Sequence, residues 1–447
     1  MSTTLVSTSK VEQMRNHFFY ETFNVAKRDS PFYRNLYKTI ELEGKDYRKD
    51  LQKLPLIDSD TIIKNQSAIT VNNLDLQTHH RTGGTTGHVP ILIHRSKQEA
   101  EMRDEVASLA FQGGKEKKLV VLILDVFHGY PWIPRSSNLY TACFTIFSFN
   151  EATEFLTNRP PIPGVESDVE SIYGSLDNLK RLTHFLLGKG IDPKTLHVKH
   201  LVSNGFYVPK KWREVLQRIW GAKLIDIYAI SEILGNIGQC LSCGAYHPSP
   251  SVVAEVVSID NHSPIKQGTG LLVLTALYPF QQSFPLLRYN TGDLFEITEQ
   301  KCVDIPLAPK GRFSRSVYVR LSEAPNVCFV PSSDIADLIE EIPDINRGMV
   351  FAGPQKAVFL DDLSWEFPRF SVQTNAKAEK PVVRFNLELN YDPVLYPSRI
   401  AEIGKVITEG LCKRSSSFEE SLREGLISFE NSFLPPNSIP WDEVFER

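Results

Sequence analysis

The chain has 447 residues, of which 42% are apolar and 23% charged, and a formal net charge of −4. This is the composition of a soluble globular protein with more than one domain, and the near-neutral balance gives no general basis for nucleic acid or an acidic membrane as partner. No run approaches the roughly 20 apolar residues that span a bilayer, and six cysteines in such a length exclude a disulfide scaffold. The first residues, "MSTTLVSTSKVEQMRNHFFYE", lack the apolar centre of a signal peptide, so the expected location is the cytoplasm.

From Val11 to about Lys64 the pattern is helical with short polar breaks. "SPFYRNLYKTIE" and "LPLIDSDTIIKN" repeat apolar residues at three- and four-residue spacing, with Asp58 or Ser59 placed to cap the second helix. From about Val71 to Gln300 strands and helices alternate. "HVPILIHR" and "LVVLILDV" are strand-like, "SDVESIYGSLDNLKRLTHFLLGKG" reads as one amphipathic helix, "HVKHLVSNG" as a strand, "KKWREVLQRIWGA" as a helix and "KLIDIYAIS" as a strand. Helices between strands imply parallel pairing and an α/β core. "GLLVLTAL" and "FPLLRYNTGDLFEI" read as late strands around a turn. Beyond Pro309–Arg312 the order becomes strand, helix, strand, strand, helix. The helices are "SSDIADLIEEI" and "YPSRIAEIGKVITEGLCKR"; "MVFAGPQKAVFL" and "PVVRFNLELN" are strands. The expected organisation is a large α/β domain over residues 1–311 and a small mobile α+β domain over 312–447.

Four short stretches carry chemistry. "RTGGTTGHVP" places Gly83, Gly84 and Gly87 among Thr82, Thr85 and Thr86. Consecutive glycines let backbone N–H groups converge on an anion, and hydroxyls add donors. The P-loop pattern G-x-x-x-x-G-K-[ST] is absent, and a hairpin with glycine at its tip is the other reading. In "IDIYAISEI", Ser231 and Glu232 lie just beyond an apolar strand, where open α/β sheets place ligands. Glu232 has the hard oxygen chemistry of a Mg2+ ligand, or is a surface residue capping the next helix. In "RYNTGD" a tight turn leads to Asp293, a carboxylate able to accept both hydroxyls of a ribose. In "PKGRFSR", Arg312 is either a clamp for ribose or phosphate or a plain loop arginine.

In that order and spacing the four stretches resemble the adenylate-forming superfamily, and within it the phenylacetate–CoA ligase-like branch. The N-terminal "SPFYRNLY…LPLIDSDTI" and the segment "SNGFYVPKKWREVLQRIWGAKLIDIYAISE" are similar to that branch as well. The resemblance covers most of the first 320 residues and fades over the last 125. It implies an ATP-dependent, Mg2+-requiring, AMP-forming ligase that converts a small carboxylic acid to its acyl adenylate. CoA, a carrier-protein thiol or an amine would then displace AMP. It also implies roles by position. Thr82, Gly83, Gly84, Thr85, Thr86 and Gly87 would wrap the β- and γ-phosphates. Asn204 and Gly205 would line the adenine and Tyr228 would flank it. Ser231 would touch the α-phosphate, Glu232 would hold Mg2+, and Asp293 would bind the ribose with Arg312 beside it. Thr85, His88, Glu232 and Arg312 are the candidate catalytic groups.

Three departures bear on that chemistry. His88 stands where the family often has lysine, with Val89 inserted before Pro90. Phe313, Ser314 and Arg315 follow Gly-Arg in place of an acidic residue. No lysine follows Lys413, although the family usually presents one near its end; Lys377 or Lys380 is the available substitute. Without that cation the expectation is slow adenylation or a relative that binds nucleotide or acyl adenylate and only transfers an acyl group or acts as a binding partner.

Two further groups stand apart. "GQCLSCGAYHPSP" gives Cys240, Cys243 and His247 metal-ligand spacing, and Cys302 returns after the "TGD" strand. A structural Zn2+ site, an ordinary buried cysteine pair and a redox pair are the competing readings. "DVFHGYPWIP" offers Phe127, His128, Tyr130 and Trp132 either as an aromatic lining for an aryl acid or as core packing.

Overall fold

A computed structural model of the chain describes residues 8–71, 74–81, 91–102, 118–124, 139–158, 161–165, 168–299, 302, 304–321, 327–348, 365–375, 380–440 and 444. The chain divides into two compact units. One is Met1–Phe206 with Gln217–Ala308; the other is Tyr207–Leu216 with Pro309–Arg447. Among the described residues no helix is long and apolar enough to cross a membrane.

The first unit begins with helices Thr8–Asp29, Pro31–Leu36, Tyr47–Leu51 and Ser59–Ile69. Asp58 caps the last by accepting from the Thr61 N–H at 2.8 Å, which leaves Ser59 as its first helical residue. Phe19, Phe23, Tyr33 and Tyr37 are buried, and the Phe23 and Tyr37 rings stack at 5.2 Å and 19°. They join a core that includes Leu272, Leu274, Leu286 and Phe295.

Strands β1 (Leu76–Arg81) and β2 (Leu92–Ser96) pair antiparallel on either side of residues 82–90. The main sheet takes β3 (Lys118–Leu124), β4 (Leu139–Thr145), β5 (Val169–Ser175), β6 (His200–Asn204) and β7 (Lys223–Tyr228). It continues through β8 (Ile237–Gln239), β9 (Tyr246–Pro248), β10 (Val252–Val257), β11 (Gly268–Ala276), β12 (Tyr289–Ile297) and β13 (Leu307–Arg312). Its 11 strands run in the order β10-β11-β12-β13-β9-β8-β7-β6-β5-β3-β4. The β4-β3-β5-β6-β7 run is parallel, whereas β7-β8, β8-β9, β9-β13, β10-β11 and β11-β12 are antiparallel. The parallel run has the near-continuous apolar strands expected of a sheet covered on both faces: Leu119 to Ile123 are all buried. Helices Leu176–Gly188 and Lys210–Trp220 make the crossovers, and the buried Trp220 indole N–H donates to the Thr183 hydroxyl at 2.8 Å.

Two expectations are corrected here. "SDVESIYGSLDNLKRLTHFLLGKG" is not one helix. Val169–Ser175 is strand β5, between β3 and β6, and the helix starts at Leu176 with Ser175 accepting from the Asn178 N–H. Val169, Ile172 and Tyr173 mimic helical spacing, but burial on both faces leaves a central strand no alternation to display. The "TGD" stretch is not a tight turn but an irregularity inside β12. Gly292 has φ +73°, and the ladder shifts register opposite Leu271–Val273. The Thr291 hydroxyl fills the gap: it donates to the Leu272 carbonyl and accepts from the Asp293 N–H, both at 3.1 Å.

In the second unit β14 (Val317–Arg320) pairs antiparallel with β15 (Val327–Val330), and helix Ser332–Glu340 follows. Short strands β16 (Arg347–Gly348) and β17 (Phe367–Pro368) precede a three-stranded sheet of β18 (Phe370–Asn375), β19 (Val382–Glu388) and β20 (Ser428–Leu434). β18 and β19 are antiparallel. β19 and β20 are parallel, joined through helices Pro397–Arg414 and Ser416–Arg423. Phe370, Phe385, Ile407, Leu411 and Phe418 are central to its core. The expected strand in "MVFAGPQKAVFL" lies outside the described residues. The architecture is therefore a large mixed α/β unit followed by a small α+β unit.

Candidate functional site

All five parallel strands end on one edge of the sheet, at Leu124, Thr145, Ser175, Asn204 and Tyr228. Pairing brings Asn204 level with Ile227, one residue before Tyr228. Asn204 and Gly205 are exposed there, and Gly205 has φ +87° in the left-handed region that favours glycine. Open α/β sheets bind ligands outside this edge.

Two carboxylates from separate motifs are fixed by two tyrosines. The half-buried Tyr228 donates its hydroxyl to Asp293 Oδ2 at 2.6 Å, and its ring meets Phe295 edge-on at 4.9 Å and 79°. Tyr289, at the start of β12, donates to Glu232 Oε1 at 3.0 Å. Asp293 is buried, Glu232 is partly buried and Ser231 is exposed. The structure thus brings Tyr228, Ser231, Glu232 and Asp293 into one neighbourhood. Arg312 falls in the second unit, at the end of β13, where the Ser316 hydroxyl donates to its carbonyl at 2.8 Å. Thr82 to Gly87, His88, Phe127, His128, Tyr130 and Trp132 lie outside the described residues; only β1 and β2, on either side of the glycine-rich stretch, are described.

Several residues of this neighbourhood carry no sequence motif. Arg95, on β2, donates through one nitrogen to the carbonyls of Ser231 and Glu232, both at 3.1 Å. Buried Gln281 donates to the Glu232 carbonyl at 3.1 Å and accepts from the Leu234 N–H at 2.8 Å. Glu99, fully buried, accepts from the backbone of Ser96, Gln282 and Ser283 and from the Ser283 hydroxyl. Ser96 and Glu99 form a reciprocal capping pair, whose S-x-x-E spacing is the one sequence signal that marks Glu99 as part of a local structure. Tyr289 sits within the quoted "RYNTGD", yet its target 57 residues away is set only by folding.

The cysteine cluster is also assembled. The donor atoms of Cys240, Cys243, His247 and Cys302 all lie within 4.8 Å of one another, and Cys243 Sγ is 3.2 Å from His247 Nε2. The Cys240–Ala245 turn, with Gly244 at φ +77°, folds the two cysteines toward one point. His247 Nδ1 donates to the Ile305 carbonyl at 3.0 Å, which sets the ring with Nε2 toward Cys243. Burial, with the neighbouring thiols, pushes the Cys243 thiol up to about 11.

No known family model matches the chain. A phenylacetate-coenzyme A ligase from Thermus thermophilus is 25% identical over 285 residues, which is 61% of this chain and 62% of that ligase. Among solved structures, a 2-hydroxyisobutyryl-CoA ligase in the postadenylation state with R3-HIB-AMP aligns with a TM-score of 0.63 at 13% identity, covering 97% of this chain and 88% of the other. ATP-bound MatB from Rhodopseudomonas palustris aligns with a TM-score of 0.53 at 13% identity, over 83% and 66% of the two chains. At such identities the solved structures show the fold. The likeness to the Thermus ligase is one of sequence and spans under two thirds of either chain.

Proposed function

We propose that this protein is an ATP-dependent, AMP-forming ligase that activates a small carboxylic acid and passes the acyl group to CoA. The observation that carries the proposal is the pair of tyrosine–carboxylate bonds, Tyr228 to Asp293 and Tyr289 to Glu232, beside the carboxyl edge of the parallel strands. In the first step a carboxylate oxygen bonds to the α-phosphorus of ATP and the bond to pyrophosphate breaks. In the second a thiol displaces AMP. Two anions must meet, so catalysis is chiefly positioning and charge neutralisation. Asp293 would accept the ribose hydroxyls in the orientation Tyr228 imposes, and Asn204 and Gly205 would lie along the adenine. Ser231 would reach the α-phosphate. Mg2+ would supply neutralising charge to the phosphate oxygens, and Glu232 has the oxygen ligand to hold it. An aryl acid is the preferred substrate, on the aromatic content of "DVFHGYPWIP", and a carrier-protein thiol or an amine is the competing acceptor.

The cysteine cluster would hold a structural Zn2+. Its set of three thiols and one imidazole suits tetrahedral zinc, and the His247–Ile305 bond supplies the outer hydrogen bond that such a ligand needs. A bound ion would tie the β8–β9 hairpin to the segment that follows β12.

One observation favours a second reading, a nucleotide-binding relative with poor adenylation. His88 stands where the family often has lysine, with Val89 inserted before Pro90. Losing a charge-bridging donor costs on the order of 10²–10³ in rate. Acid-dependent exchange of labelled pyrophosphate into ATP separates the two, measured over a panel of aryl and alkyl acids. Exchange that Glu232→Ala and Asp293→Ala abolish is expected. A protein that binds ATP and exchanges with no acid refutes the ligase.

A further inference from the structure

We infer that Arg95 is a positioning residue for the chemistry proposed above: it makes β2, the strand leaving the glycine- and threonine-rich stretch, the support that fixes the turn presenting Glu232. The inference rests on that proposal, since it assigns Glu232 a task that needs a fixed geometry.

Arg95 is 2% exposed. Its two hydrogen bonds run from a single nitrogen to the consecutive carbonyls of Ser231 and Glu232. Among the described residues its Nε and Nη1 have no hydrogen-bond partner. The Glu99 carboxylate stands 4.0 Å from Nη1, too far for a hydrogen bond, and its oxygens already serve four donors from Ser96, Gln282 and Ser283. Burial lowers the guanidinium to about 10, against the opposing pull of Glu99 and Glu232, so it is charged at neutral pH. A buried cation this poorly bonded is an expensive way to fill space, and an apolar side chain of similar length is often neutral or stabilising in its place. What an apolar chain cannot do is hold two adjacent carbonyls of an exposed turn or set positive charge beside Glu232. Gln281 adds a second hold on the same turn through the Glu232 carbonyl and the Leu234 N–H, and Tyr289 holds the carboxylate itself. Arg95 alone among the three comes from β2, the strand that follows residues 82–90 in the chain, so it ties that strand to the turn that presents Glu232.

The test compares Arg95→Met and Arg95→Lys with the wild type in pyrophosphate–ATP exchange, titrating Mg2+ and acid separately, alongside thermal unfolding. Arg95→Met should lower exchange turnover on the order of 10- to 100-fold, as expected for a displaced catalytic group. It should raise the Mg2+ concentration for half-maximal rate and leave the acid KM and the melting temperature nearly unchanged. Arg95→Lys keeps the charge without the planar fork and should fall between the two. Unchanged turnover and Mg2+ dependence in both variants overturns the inference. So does a loss that tracks lowered melting temperature and is equal for Mg2+ and acid, which marks a merely structural role. If Arg95→Met does not fold, Arg95→Lys decides on the Mg2+ titration. If the wild type exchanges with no acid, the ligase proposal fails separately, and the Mg2+ dependence of ATP binding by the same variants decides for Arg95.

Discussion

Replacing Tyr228 by Phe isolates one bond of the proposed nucleotide site. The ring keeps its edge-on contact with Phe295 at 4.9 Å, so the packing is conserved. What disappears is the 2.6 Å hydroxyl bond to the buried Asp293 carboxylate. Hydrogen bonds to charged groups contribute about 1.5–3 kcal/mol. With about 1.4 kcal/mol per factor of ten, the full interaction corresponds to roughly 10- to 150-fold. If Asp293 receives the ribose, the loss appears in ATP binding: the apparent KM for ATP rises about tenfold or more, and turnover at saturating ATP changes less. The assay is the initial rate of acid-dependent pyrophosphate–ATP exchange over a range of ATP concentrations. An unchanged ATP dependence, in a variant that still folds, would refute the assignment of Asp293 to the ribose.

Purified protein should contain about one zinc per chain. Cys243→Ser should lower that content and the melting temperature together. Metal-free wild type with the same melting curve in chelator rules the zinc site out. A third expectation concerns acid stability. Asp50 is 1% exposed; burial disfavours its charge, but the Glu43 N–H, the Lys53 ammonium, the Gly44 N–H and the Tyr20 hydroxyl together outweigh burial and hold the carboxyl well below the usual range. A carboxyl lowered by folding stabilises above its unfolded value of about 4, and the contribution is lost as pH falls through the folded value. Asp50→Asn should therefore be less stable than wild type at pH 7, by about 1–3 kcal/mol for weakened charged hydrogen bonds. The gap should close progressively in acid. Urea unfolding at neutral and low pH measures it, and a gap independent of pH contradicts the linkage.

Local order along the chain was enough to settle much of this protein. The alternation of strand and helix from Val71 to Gln300 announced the α/β unit, and the order of "RTGGTTGHVP", "YAISE", "RYNTGD" and "KGRFSR" announced the adenylate-forming fold, because each motif is a run of adjacent residues with its own backbone requirement. Cys240, Cys243 and His247 were legible for the same reason: a C-x-x-C turn is local. Folding alone decided what depends on residues distant in sequence. A central strand such as Val169–Ser175 is buried on both faces and shows no period by which to know it, so β5 emerged only from its pairing with β3 and β6. Strand β20 likewise has meaning only beside β19, 46 positions earlier in register. The carboxylates were visible as residues, but their orientation was not, since Tyr228 reaches Asp293 across 65 positions and Arg95 reaches Glu232 across 137. Sequence thus named the groups to which the proposed chemistry is assigned. The tertiary structure chose the tyrosines, the glutamine and the arginine that hold those groups still, because a hydrogen bond between distant residues leaves no spacing in the chain to read.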